Sequence, residues 1–137
     1  MKVFLICLGI IFFQSSSIAC DDTKLQKLVR AKNINGVKNL IGRIGVNGQN
    51  ECGETALMTS VALGQNEIVE VLLGHGAKLE IRNNDGYTAL LFVTSPLATS
   101  QTVNLLLSAG ANINAQDNRG KSVIMLFDGR EPWDPKY

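Results

Sequence analysis

Apolar and polar positions along this chain come in blocks that return on a fixed beat. The phrase Gly53-Glu54-Thr55-Ala56-Leu57 recurs 33 residues later as Gly86-Tyr87-Thr88-Ala89-Leu90. It recurs again, weakened, as Gly120-Lys121-Ser122-Val123-Ile124. A second phrase keeps step: Val71-Leu72-Leu73-Gly74-His75-Gly76-Ala77 is answered by Leu105-Leu106-Leu107-Ser108-Ala109-Gly110-Ala111. Self-similarity at this period marks stacked helical units, each of which buries its apolar face only against a neighbour.

The unit at residues 53–82 is the cleanest. Residues 55–63 suit a short first helix opened by a threonine whose hydroxyl can cap exposed amides. Gly64 breaks it, and residues 67–73 form a second helix that is apolar nearly all round, as expected when neighbours cover it on both sides. Gly74 and Gly76 end that helix. Residues 79–85 are a polar finger leading to the next unit through Asn83-Asn84-Asp85-Gly86, a turn signal.

In this order and spacing the chain resembles the ankyrin repeat. Gly-x-Thr-Ala-Leu stands for the family's G-x-T-P-L-H, and Gly64-Gln65-Asn66-Glu67-Ile68-Val69-Glu70-Val71-Leu72-Leu73 for G-H-x-E-I-V-x-x-L-L. His75-Gly76-Ala77 with Leu79-Glu80 follows G-A-x-V-N. The resemblance runs over about residues 24–127 and implies an all-α solenoid of helix-turn-helix units joined by β-hairpin-like fingers, about three and a half repeats. The expected units are residues 24–52, 53–85, 86–119 and a partial 120–127.

Departures from the pattern carry expectations of their own. Ala56, Ala89 and Val123 replace the family's proline, and Met58, Leu91 and Met125 replace its histidine. That histidine helps tie neighbouring turns, so these units should be less rigid. Residues 24–46 read as a degenerate, shortened first unit without the intervening glycine. Its Lys24, Lys27, Arg30, Lys32 and Lys38 suit a solvent-facing cap. Residues 86–115 hold one extra residue near 95–100, where Pro96 sits in the turn between helices. The last unit has a first helix at 122–127 but no second, because Pro132 and Pro135 exclude one from the tail at 128–137.

The first nineteen residues change the compartment. Lys2 followed by an uncharged apolar run at residues 3–13 is too short to span a bilayer and reads as a signal peptide, residues 1–19, cleaved before Cys20. Residues 20–23 then form a short tether. Export to the periplasm, the cell surface or the outside follows. Ser17-Ile18-Ala19-Cys20 also partly resembles a bacterial lipobox, so Cys20 is either lipidated, which would anchor the protein to a membrane, or plainly exposed by cleavage and available to bridge Cys52. Both readings stay open at this point.

Charge and chemistry narrow the function. Residues 20–137 carry twelve basic and twelve acidic side chains, so the electrostatic footprint of a nucleic-acid binder is missing. With one histidine, His75, and isolated cysteines, no metal set or nucleophile arrangement is readable. His75 itself suits a solvent-facing helix end. No phosphate-cradling glycine motif occurs. A non-enzyme without cofactor or metal is expected, monomeric and holding another protein.

The resemblance implies where it would hold it. Fingers and first helices of such stacks line one concave side, and the residues flanking each repeat glycine project there. By position these are Glu51, Cys52 and Glu54, then Asn84, Asp85 and Tyr87, then Asn118, Arg119 and Lys121, with Arg82 and Gln116 extending the row. The charge runs from acidic Glu51 and Glu54 to basic Arg119 and Lys121. Tyr87 is either an exposed anchor or packed against the adjacent finger. At the far end, Met125 and Phe127 lack cover; either Trp133 and Tyr137 fold back over them, or the end is a docking patch. The alternatives to a simple binding module are an accessory or immunity-type inhibitor of an envelope enzyme or toxin, and a capless remnant of a longer array.

Overall fold

A computed structural model describes residues 21–127. The signal-peptide, Cys20 and tail readings lie outside these residues, as does the side chain of Phe127. The elements run α1 (Lys24–Arg30), α2 (Ile34–Ile44), α3 (Ala56–Ala62), α4 (Asn66–Gly74), a 3-10 helix (Ala89–Thr94), α5 (Ser100–Ser108) and α6 (Val123–Phe127). Among the described residues, β pairing is confined to isolated antiparallel bridges, one between Gln49 and Thr55 and one between Gln116 and Ser122. Each closes the base of a finger.

Two layers result. First helices α1, α3, the 3-10 helix and α6 pack in succession, while α2, α4 and α5 form the second row. Leu57, Leu72, Leu91 and Leu106 are almost wholly buried between them. Each such leucine contributes roughly 1.5–3 kcal/mol of apolar burial, which none of these short helices could supply alone.

Caps set the helix starts. The hydroxyls of Thr23, Thr55 and Thr99 accept from backbone amides three residues on. Thr88, at the equivalent place in the third unit, makes no such bond, and its buried hydroxyl has no hydrogen-bond partner. The segment that follows winds as a 3-10 helix rather than an α-helix.

The first unit is shortened, as expected, but it is not degenerate. From Thr23 to Thr55 is 32 residues, one short of the period, yet both helices are complete and α2 is longer than α4. Lys32 takes the place of the turn glycine with φ at 52°, against 63° for Gly64. Both make the same pair of closing bonds: Lys32 N–H to Val29 and Asn33 N–H to Leu28, then Gly64 N–H to Val61 and Gln65 N–H to Ser60. A lysine held there costs about 1–2 kcal/mol relative to the right-handed region.

Gln26 supplies a tie that the repeat pattern did not announce. It occupies the position where the family's histidine stands and is fully buried. Its Nε2 donates to the Glu54 carbonyl and to Thr59 Oγ1, both at 3.2 Å, and its Oε1 accepts from Thr23 N–H at 2.8 Å. The first junction is therefore tied by a polar side chain. Met58, at the same position one unit on, offers its sulfur to the Thr55 amide at 3.4 Å instead.

Of the expected cap residues, Lys24, Lys27, Lys32 and Lys38 are exposed, and Arg30 pairs with Asp22. The extra residue of the third unit falls in the turn at 95–98, since Thr55 to Thr88 spans 33 residues whereas the starts of α4 and α5 lie 34 apart. Ser95 Oγ ties that turn back to the Ala62 carbonyl at 2.7 Å.

Candidate partner-binding face

Each finger is built around one side chain. Asn50 Oδ1 accepts from the amides of Cys52 and Glu54, Asn83 Oδ1 from those of Asp85 and Tyr87, and Asp117 Oδ1 from those of Arg119 and Lys121, all at 2.8–3.1 Å. The same residues close the turn through the backbone, for example Gly86 N–H to the Asn83 carbonyl at 2.9 Å. An Asn or Asp is needed because its short side chain reaches amides two and four residues on. This column of Asn50, Asn83 and Asp117 was absent from the expected site row. Its signal was present: a short polar residue three before every repeat glycine.

Neighbouring fingers are then stitched together. Asn84 N–H donates to the Cys52 carbonyl at 2.9 Å, and Asn118 N–H to the Asp85 carbonyl at 3.0 Å. Asn84 Nδ2 donates to the Glu51 carbonyl and Asn118 Nδ2 to that of Asn84, both at 2.9 Å. Gly53 and Gly86 make the approach fit. A Cβ on Gly86, whose φ is +83°, would lie 2.3 Å from Asn118 Oδ1.

A third column clasps the finger bases. Gln49 Nε2 donates to the Gly53 carbonyl at 2.7 Å and to that of Arg82 at 3.2 Å. One unit on, Arg82 Nε donates to the Gly86 carbonyl at 3.1 Å, and its Nη2 to the Gln116 carbonyl.

These bonds sort the expected partner-binding residues. Arg82, Asn84 and Asn118 are exposed, but their polar groups hold finger to finger, so they act as structural ties and not as free contacts. Gln116 is exposed and lends its carbonyl to Arg82. Tyr87 is a correction to the exposed-anchor reading. It is 8% exposed, its ring meets Phe92 edge-on at 5.8 Å, and its hydroxyl accepts from Arg119 Nη2 at 3.3 Å. The edge-on packing suits the ring quadrupoles.

What projects from the row is a charged set, Arg119 among it held in place by its neighbours. Glu51, Asp85 and Lys121 are exposed, and the Arg119 side chain is 64% exposed. Arg119 is aimed by two contacts, the Tyr87 hydroxyl and Asp117 Oδ2, which lies 3.6 Å from its Nε. The bond to Tyr87 and the nearby carboxylate both hold its pKa above the ordinary guanidinium value. Glu54 is half-buried at the foot of the first finger. Burial pushes its carboxyl pKa up, opposed by the nearby Asn50 side chain and by Arg30 and assisted by the charges of Asp22 and Asp85.

Cys52 is disulfide-bonded. His75 is exposed, with Nδ1 2.7 Å from the Val71 carbonyl at the end of α4. Among the described residues no cluster of His, Cys, Asp and Glu could hold a metal ion. No helix there is long and apolar enough to cross a membrane.

A family model described as "Ankyrin repeats (3 copies)" matches residues 25–117. No curated protein matches the chain. With fingers of one design stitched across capped helix pairs, and the model covering more than half its length, the chain belongs to the ankyrin-repeat family, whose stacks are protein–protein interaction modules and generally non-catalytic.

Proposed function

We propose that this chain is an exported, non-catalytic module that holds a protein partner on its finger side. The observation that carries the reading is the division of labour along the fingers. Polar side chains that could have been contacts are tied internally, which fixes the row, and Glu51, Asp85, Arg119 and Lys121 project from it. A rigid row with acid at one end and base at the other suits a partner with the opposite order of charge. Electrostatic complementarity of this kind sets orientation and association rate more than affinity. The partner is expected to bind a single copy of the chain.

Export rests on the signal-like residues 1–19 and on the disulfide at Cys52, a bond that persists in oxidising compartments. The sequence holds three cysteines, and Cys7 lies within the signal segment. Cys20 is thus the partner for Cys52 that a processed chain offers. A bridged Cys20 cannot also carry a thioether lipid, which favours plain secretion over the anchor. Thiol counting on the processed protein tests this: no free thiol is expected, and one free thiol with a lipid mass on Cys20 reverses the assignment.

The binding test is capture from the envelope and secreted fractions of the source cell. The bait is the processed chain, run beside a Glu51→Lys, Asp85→Lys, Arg119→Glu variant. A protein retained by the first and released by the folded variant supports the finger row. Retention by both, or by neither, removes the row from consideration. Assaying the captured protein's own activity with and without the module separates passive holding from an inhibitor or immunity role. A non-cooperative melt with no captured partner would favour the remnant reading.

A further inference from the structure

Asparagine before glycine is a dipeptide open to attack by the backbone on its own side chain, because glycine brings no Cβ to shield the following nitrogen. Two such pairs stand in the chain, Asn35-Gly36 and Asn47-Gly48, and the fold treats them oppositely. Asn35-Gly36 lies in the first turn of α2, where the Gly36 amide donates to Asn33 Oδ1 at 2.8 Å. Asn47-Gly48 lies in the connection from α2 to the first finger. Gly48 is exposed, and a Cβ there would meet nothing within 4 Å. Among the described residues the Gly48 amide makes no hydrogen bond. The Asn47 side chain, however, is set across the first junction. Its Oδ1 accepts from the Lys78 amide at 2.8 Å, and its Nδ2 donates to the Gly76 carbonyl at 3.2 Å.

We propose that Asn47 is a site of spontaneous deamidation, with water as the co-reactant, and that the fold directs the reaction there. Once hydroxide has taken its proton, the Gly48 nitrogen attacks Asn47 Cγ and charge develops on Oδ1. The Lys78 amide is already bonded to that oxygen, as a donor serving a developing oxyanion must be. The Cγ–Nδ2 bond then breaks, and ammonia leaves with a proton from water. A second water opens the cyclic imide that remains. Addition at Cγ gives aspartate, and addition at the Asn47 main-chain carbonyl carbon gives isoaspartate, with the chain rerouted through the side chain. One nitrogen leaves as ammonia, one oxygen enters from water, and nothing is oxidised or reduced. An aspartate can still accept from the Lys78 amide, as Glu80 at the same place one unit on accepts from the Asn112 amide at 2.9 Å. The donor to the Gly76 carbonyl is lost, and a carboxylate oxygen faces that carbonyl in its place. The reaction therefore loosens the first junction in a step that does not reverse.

Peptide mass mapping of the folded processed chain, held at mildly alkaline pH, tests the site, with Asn35 as the internal control. In the folded chain Asn47 should convert several-fold faster than Asn35, to a mixture of aspartate and isoaspartate. In urea, where both pairs lose their surroundings, the two should convert at similar rates. Gly48→Ala adds a methyl group into open space, so the fold should stand, while conversion of Asn47 slows several-fold and that of Asn35 does not change. Protein enriched in the converted form should melt below the fresh chain, and Asn47→Asp should melt below the wild type. Conversion of Asn47 only in urea, or no faster than Asn35 in the folded chain, would overturn the site. An unchanged melt after conversion would overturn the loosening of the junction.

Discussion

The middle and the end of this stack present the same residue types at the same positions with opposite fates. Leu57 and Leu90 are 1% and 3% exposed, and Ile124 is 64% exposed. Nothing in the local sequence separates them: each sits second in a first helix that follows a Gly-x-Thr or Gly-x-Ser turn. Burial here is conferred by the following unit, and not by the helix that carries the side chain. The contrast extends to the fingers, where Gly86 is pressed against Asn118 and Gly120 faces open space. Stability in such an array belongs to junctions more than to units.

Substitutions at matched positions test that contrast. Leu90→Ala should destabilise by about 2–5 kcal/mol, and Ile124→Ala should cost far less, both read as shifts in a urea midpoint at constant m. Equal losses at the two sites would show that α6 is as covered as the 3-10 helix. Next in size is the glycine pair. Gly86→Ala meets both an unfavourable φ and the Asn118 side chain, so its cost should exceed the ~1–2 kcal/mol of the backbone conformation alone. Gly120→Ala should incur only that conformational cost.

Gln26→Ala, at the opposite end of the stack, leaves Thr59 and the Glu54 carbonyl short of a donor and should lose about 1–3 kcal/mol. Lys32→Gly should raise stability by up to ~1 kcal/mol, because the residue already stands in a glycine conformation.

The smallest effect concerns pH. Burial raises the folded-state pKa of Glu54 above the ordinary carboxyl value, so the folded form binds this proton more tightly than the unfolded one. Its carboxylate therefore works against folding above the folded-state pKa. That penalty fades as pH falls through the folded-state value and is gone below the unfolded one. Glu54→Gln should melt higher than the wild type at pH 7, with the gap closing toward pH 4.5. A gap independent of pH would assign the gain to something other than the charge.

The helix pairs, the polar fingers and the family were legible in the sequence, because each rests on local chemistry repeated at a fixed period. What was not legible depended on the neighbouring unit. Tyr87 occupies a finger position that reads equally as anchor or as packing. Only the presence of Phe92 beneath it, where the preceding unit has Thr59, decides for packing. Asn84 and Asn118 look like free polar contacts until the preceding finger's carbonyls come within 2.9 Å. Lys32 keeps the turn without a glycine because the junction overrides a moderate backbone cost. The Asn50, Asn83 and Asp117 column lies three residues before each repeat glycine, just outside the flank that projects, and its inward role shows only once the amides it accepts from are in place.

The turn at 95–98 absorbs one residue more than its counterpart at 63–65, and the finger bonds on either side are unchanged in kind. Spacing between consecutive second helices and spacing between finger tips are thus decoupled at that outer bend, where Pro96 and Leu97 are exposed. For an engineer this marks a graft point. An epitope, a fluorophore attachment site or a second recognition loop could be spliced there, remote from the fingers, without disturbing the spacing of whatever the fingers hold.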